Sequence, residues 1–272
     1  MSGLQVSEWK RYGHDRIYVN RSSGEKVAWF DRRTGYLNVL VEGQRDAVLA
    51  ALAPYLGTPA APVARRELSP EHDLAGNRPG ESLQGKVDEL APGFWRWASA
   101  RLTGRSLEVD SWRTGQAGER RMGAELERLG RRGWRVLHSI PLAADVDIDH
   151  VLIGPGGAFC FNTKCHRRAR VWVGDDSARL GGQTYPYVRK SRAEGRRASA
   201  ALTRACGFTV EVRPVLAFVA VAELKVVPSL RDVRVLQERD VTAFKHLKDV
   251  WTPESVELVY TAARDRRTWL RS

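Results

Sequence analysis

The sequence predicts an α/β fold of the α+β kind: a mixed central sheet flanked by helices and preceded by a small β-meander with one helix of its own. Three observations predict it. Apolar residues alternate at period two in short runs bounded by turn residues, two longer stretches carry helical spacing, and the larger part of the chain runs helix, four strands, helix, two strands and helices.

The first unit covers residues 1–57. Arg16-Ile17-Tyr18-Val19-Asn20, Lys26-Val27-Ala28-Trp29-Phe30 and Tyr36-Leu37-Asn38-Val39-Leu40 read as short strands, separated by Ser22-Ser23-Gly24 and Asp31-Arg32-Arg33-Thr34-Gly35. Val48, Leu49, Leu52 and Leu56 then recur at helical spacing from Arg45 onward. The expectation is a folding module packed on its own helix, with a charged and aromatic surface open to a binding role.

Residues 58–110 are rich in Pro, Gly, Ala, Arg and Glu and poor in large apolar side chains, so burial does not offset the entropy of ordering them. They read as a linker. Phe94-Trp95-Arg96-Trp97 interrupts it with an apolar cluster suited to a short helix packed on the larger domain.

The second domain is expected over residues 111–222, with residues 223–272 completing the fold. Thr114-Gly115-Gln116-Ala117-Gly118-Glu119 opens a helix carrying Met122, Leu126 and Leu129, which Gly130 and Gly133 stop. Trp134 to Ile140 is the next strand, and Ala169-Arg170-Val171-Trp172-Val173 is expected to extend its sheet. A long basic helix covers Tyr187 to Cys206. Strands Val212 to Val221 and Val233 to Leu236 follow, then helices near Val241 to Val250 and Pro253 to Arg264.

The centre of this domain carries the chemistry. Asp147-Ile148-Asp149-His150-Val151-Leu152-Ile153 alternates, Gly154-Pro155-Gly156-Gly157 turns the chain, and Ala158-Phe159-Cys160-Phe161-Asn162-Thr163-Lys164 alternates again: a β-hairpin. Period-two geometry puts Asp147 and Asp149 on one face of the first strand. It puts Cys160, Asn162 and Lys164 on one face of the second, with Phe159 and Phe161 opposite. An acid and a lysine can therefore converge.

Composition restricts the partners. Forty-four Lys and Arg against thirty-two Asp and Glu leave a formal charge of +12, which favours polyanions such as DNA or RNA. Arg189, Arg192 and Arg196 recur at i, i+3 and i+7 on the basic helix, beside Lys190 and Arg197, in a stripe suited to a phosphate backbone; a solvated helix face explains it equally. No run of 18 apolar residues appears, and the first residues lack a basic n-region and an apolar h-region. No membrane role and a cytoplasmic location are therefore expected. Cys160, Cys165 and Cys206 make an odd count without a CxxC pair, which fits a reducing compartment rather than a disulfide framework. His150 and His166 with Cys165 match no closed zinc pattern.

Gly118-Glu119 opening a helix, the run Ile148-Asp149-His150-Val151-Leu152-Ile153-Gly154-Pro155-Gly156-Gly157, and Asn162-Thr163-Lys164 before a Val-Trp-Val strand together resemble the nuclease-related domain, NERD, of the PD-(D/E)xK nuclease-like superfamily. The resemblance spans about Ser111 to Val221. It implies a restriction-endonuclease-like core with a metal-dependent phosphodiester-cleaving site built from Glu119, Asp149 and an acid-x-Lys motif ending in Lys164. Glu119, Asp149 and Asn162 are the implied ligands of Mg²⁺ or Mn²⁺, and Gln183 the implied contact to a substrate phosphate.

The chain departs from that pattern at Asn162, which occupies the acid position. Its amide oxygen ligates a hard cation but brings no negative charge. Three readings follow: Asn162 serves as a weak neutral ligand, Asp147 compensates, or the site has lost catalysis and the protein binds nucleic acid or acts as a scaffold. Whether the chain is an enzyme turns on that residue.

Overall fold

A computed structural model describes residues 4–11, 14–31, 36–41, 43–52, 54–55, 68–81, 108–142, 147–248 and 250–270. The chain divides into two compact units, Met1–Glu67 with Leu202–Glu211, and Leu68–Ala201 with Val212–Ser272.

The first unit holds strands β1 (Leu4–Arg11), β2 (His14–Arg21), β3 (Lys26–Asp31) and β4 (Tyr36–Val39), antiparallel in chain order, and helix α1 (Arg45–Leu52). Ile17, Val19, Val27 and Ala28 of the sheet bury against Val48 and Leu52 of the helix. The first strand was not expected, because only Leu4 and Val6 show its inward face before charged residues follow. The helix ends two residues before Pro54, a residue that disfavours helix just ahead of it.

The second unit opens with helix α2 (Glu108–Glu127), tightening into a 3-10 turn over Arg128–Arg132 that Gly133 ends in the left-handed region at φ 79°. Strands β5 (Arg135–Pro141), β6 (Asp147–Gly154) and β7 (Gly157–Cys165) follow, then β8 (Arg170–Val173), β9 (Ala178–Leu180) and β10 (Gln183–Tyr185). Helix α3 (Tyr187–Cys206) leads to β11 (Val212–Val219), β12 (Glu223–Val226) and β13 (Arg234–Gln237), and helix α4 (Pro253–Arg264) lies near the end.

The central sheet has the order β13-β11-β7-β6-β5, antiparallel among β5, β6 and β7 and parallel from β7 through β11 to β13. This mixed sheet flanked by helices fits the restriction-endonuclease-like architecture implied by the resemblance. Its pleat separates two cores. Phe159, Phe161, Val215 and Ala217 pack with Met122 and Leu126 of α2, while Leu216 and Phe218 pack with Val188 of α3.

Three expectations need correction. The Arg170–Val173 strand does not extend the central sheet: it joins a second sheet of order β10-β9-β8-β12, after a turn in which Arg168 takes a positive φ of 57°. Strands β9, β10 and β12, three or four residues each, are too short for a period-two reading to find. The helix expected near Val241 is a 3-10 stretch over Glu238–His246, opened by a capping box between Gln237 and Asp240.

Part of the stretch expected to be linker is built into the second unit. Pro70–His72 and Leu74–Gly76 form 3-10 turns, Leu74 is buried, and Asp73 is paired with Arg264. Phe94-Trp95-Arg96-Trp97 lies outside the described residues. Among the described residues, no helix is long and apolar enough to cross a membrane.

Candidate active site

The site forms where the central sheet opens. Strand β6 pairs with β7 only as far as His150 and Phe161, while β7 runs on beside β11 through Asn162, Thr163 and Lys164. Thr163 thereby loses a strand partner for its N–H on the β6 side, and the Asp149 carboxylate accepts that N–H at 2.5 Å. On the other flank β5 skips a residue: His138 pairs with His150 and Ile140 with Ile148, while Ser139 between them sits at φ 47°. A non-glycine residue in that region is held there by its surroundings. Here the Ser139 carbonyl accepts from Asn77 Nδ2 at 2.9 Å, and its hydroxyl accepts from Glu81 N at 3.1 Å.

Residues 77–81 also hold the next ligand candidate. Glu119 is 6% exposed on α2, a Gly80 backbone hydrogen bond favours its charged form, and Gln116 Nε2 donates to the Gly80 carbonyl at 3.3 Å. Gly80 is at φ +74°. Close packing brings the helix in: a Cβ on Gly118 would stand 2.6 Å from Cys165 Cβ, so only glycine lets α2 approach β7 beside Glu119.

Asn162 faces α3, where it meets a residue that the sequence reading missed. Its Nδ2 donates to both carboxylate oxygens of Glu194, at 2.7 and 2.6 Å, and both side chains are buried. Gly195 lets the helix close on β11, its missing Cβ lying 3.2 Å from Pro214. A signal for Glu194 existed. It is an acid in a basic helix, and the loss of an acid at position 162 invites a search for one elsewhere.

Electrostatics ties these groups together. Burial raises Glu119 well above the carboxylate range, and repulsion from Asp149 adds to the rise. Burial likewise raises Asp149, with Asp147 adding and Lys164 and the Thr163 N–H opposing. Glu194 is pushed up to about 7 by burial first and by Asp149 second. Lys164 opposes the rise in all three acids; its Nζ donates to the Thr163 carbonyl at 3.0 Å and lies 5.6 Å from the centre of the Tyr187 ring.

The donor set suits a hard cation: carboxylates that repel one another and an amide oxygen, with Glu119 Oε2 and Asn162 Oδ1 buried and, among the described residues, without hydrogen-bond partners. Among the described residues no three His, Cys, Asp or Glu side chains are gathered tightly enough to hold an ion as they stand. The fit therefore rests on donor chemistry and on the two orphaned oxygens.

The expected nucleic-acid residues separate. Arg189 and Lys190 line a cleft of about 430 Å³ together with Glu194 and Arg197. Arg192 is held by Asp176 and Asp232 at 2.7 and 2.5 Å, and Arg196 is exposed outside that cleft. Gln183, exposed on β10, accepts from the Tyr185 hydroxyl at 2.5 Å. His150 belongs to the core, its Nδ1 lying 2.8 Å from Nδ1 of His138. His166 stacks on Tyr187, which stacks on Tyr185, along the edge next to Lys164.

Comparison with protein-family models matches residues 114–219 to the nuclease-related domain, NERD. No curated protein and no solved structure matches the chain. The matched range runs from the second turn of α2 to the end of β11 and includes Glu119, Asp149, Asn162, Lys164 and Glu194.

Proposed function

We propose, from the premise that residues 114–219 are a nuclease-related domain of the PD-(D/E)xK-like superfamily, that this chain hydrolyses phosphodiester bonds of DNA or RNA with Mg²⁺ or Mn²⁺. Nuclease domains of this superfamily usually use divalent metals. The observation that carries the proposal is Asp149 at the opening of the sheet, within electrostatic reach of the buried Glu119 and of Lys164.

Each group has a role in that reading. Glu119 and Asp149 would hold the cation with the amide oxygen of Asn162 as a neutral third donor. A bound divalent ion withdraws charge from the scissile phosphate and lowers the pKa of the attacking water. Lys164 orients that water and offsets the negative charge that builds on the phosphoryl oxygens. Arg189, Lys190 and Arg197 hold the backbone of the substrate along the cleft. The Thr163 N–H keeps the Asp149 carboxylate in one position, so no side-chain ordering remains for the moment of reaction.

One observation favours a different reading, a nuclease-like domain that binds nucleic acid without cutting it: Asn162 brings no charge to the acid position. A single assay separates the two. Labelled single- and double-stranded DNA and RNA are incubated with Mg²⁺, Mn²⁺ or EDTA and wild type, Asn162→Asp or Lys164→Ala. Metal-dependent cleavage by the wild type that Lys164→Ala abolishes is the expected result. A silent wild type that gains cleavage as Asn162→Asp would instead assign a binder with a disabled site.

A further inference from the structure

We infer that Glu194 supplies, from helix α3, the carboxylate that position 162 lacks, and that Asn162 holds it in place as part of the cation site. The inference rests on the metal-dependent reading above and identifies which residue completes it.

Geometry separates this role from an ordinary ion pair. Glu194 is 7% exposed and Asn162 is 4% exposed, so neither can look to water for its partners. Among the described residues no Lys or Arg is ion-paired with Glu194; its two oxygens share one neutral amide group. A buried carboxylate hydrogen-bonded to an amide alone among the described residues, with Lys164 and Arg197 acting only at longer range, is costly, and that cost is lifted when a cation joins it. The other end of the amide points the same way, since among the described residues Asn162 Oδ1 has no hydrogen-bond partner. The clamp leaves strand β7 presenting an oxygen at position 162 and helix α3 presenting the negative charge.

Position in the fold agrees. Glu119 comes from the helix on one face of the central sheet and Glu194 from the helix on the other, and Asp149 of the sheet raises both. Glu194 also lines the cleft that carries Arg189, Lys190 and Arg197. A phosphate backbone held by those three cations would pass beside the carboxylate.

The test is direct binding of Mn²⁺ to the full chain at pH 8, by titration calorimetry, for wild type, Glu194→Gln and the exchange variant Asn162→Asp with Glu194→Gln. Circular dichroism and the melting temperature establish that each is folded. Glu194→Gln should weaken Mn²⁺ by about tenfold or more, on the scale of losses at ligand-supporting positions. The exchange variant keeps an amide-to-carboxylate hydrogen bond with its direction reversed and returns the charge to the strand, so it should bind within about threefold of wild type on the same scale. Unchanged binding in Glu194→Gln overturns the inference and leaves the Asp149 and Glu119 site standing. A wild type that binds no Mn²⁺ at millimolar concentration overturns the metal-dependent reading and this inference with it. If Glu194→Gln fails to fold, the exchange variant decides: wild-type affinity supports the role, and its loss refutes it.

Discussion

The backbone N–H of Thr163 is bonded to the carboxylate of Asp149 at 2.5 Å, just beyond His150 and Phe161, the last pairing of β6 with β7. The acid thus does two jobs: it satisfies a strand donor that the open sheet leaves without a strand partner, and it brings negative charge to the site. These jobs separate by substitution. Asp149→Ala leaves the N–H without an acceptor and should cost about 1–3 kcal/mol of stability. Asp149→Asn keeps an acceptor oxygen and should stay within about 1 kcal/mol of wild type. Both should lose cleavage and Mn²⁺ binding. Urea denaturation alongside the cleavage assay reads out both, and a cleaving Asp149→Asn would remove Asp149 from the metal site.

Glu194 gives a pH signature. Burial, with Asp149 second, lifts its pKa from 4.5 to about 7, so between those values the folded chain holds a proton that the unfolded chain has released. Stability from this group is therefore complete below pH 4.5 and is lost as pH rises through 7, a loss of about 3 kcal/mol at most. Glu194→Gln removes the titration. The difference in unfolding free energy between variant and wild type, measured without metal, should grow from pH 5 to pH 8 in favour of the variant. Parallel curves would show that the carboxylate is not penalised there. A residue whose removal stabilises the metal-free protein while weakening Mn²⁺ is being kept for the ion.

Much of this was legible in the sequence, for reasons tied to particular residues. The apolar runs Val151 to Ile153 and Ala158 to Phe161, broken by the Gly154–Gly157 turn, specify β6 and β7, and they run nearly unbroken because the central strands are buried on both faces. Helical spacing places α2, and α3 was read to its observed ends, Tyr187 and Cys206. Glu194 was hidden because its partner Asn162 is 32 residues away and no local period links a strand residue to a helix packed across the sheet. The structure of residues 68–81 was hidden for a related reason: turns that dock through Asn77, Gly80 and Asp73 look like linker when few of their side chains are large and apolar. The arginine stripe showed the opposite limit. Spacing put Arg189 and Arg192 on one face, and only the acids at 176 and 232 distinguish them.

That distinction predicts different behaviour on nucleic acid. Replacing Arg189, Lys190 and Arg197 together by Gln should lower the slope of log affinity against log salt by roughly 2–3, since each phosphate contact contributes about 0.7–0.9. Arg192→Gln should leave the slope unchanged and instead cost under about 1 kcal/mol of stability, because an exposed ion-pair network is worth little more. Fluorescence anisotropy with a labelled duplex and a labelled single strand at several salt concentrations measures the slope. A reduced slope in Arg192→Gln would place the substrate along the 189/192/196 stripe rather than in the cleft.

Gly118 tests whether the position of Glu119 matters as well as its chemistry. The residue is on α2, one position before the acid, and its Cα faces Cys165 at the end of β7. In an exposed helix, Gly→Ala would stabilise by up to about 1 kcal/mol through the unfolded chain. Here the added Cβ would lie 2.6 Å from Cys165 Cβ, a contact that only a shift of helix against strand relieves. Overpacking of that kind typically costs about 1–3 kcal/mol, which outweighs the propensity gain. Gly118→Ala should therefore lower stability and, by moving Glu119 away from Asp149, weaken Mn²⁺ binding. Gly118→Ala combined with Cys165→Ala does not relieve the clash, since the Cβ remains. Cys165→Gly in the same background removes the obstructing atom and should recover binding. Recovered metal affinity without recovered stability would show that the spacing of α2 against β7 controls the site; a Gly118→Ala variant that binds Mn²⁺ like wild type would show that Glu119 lies outside it.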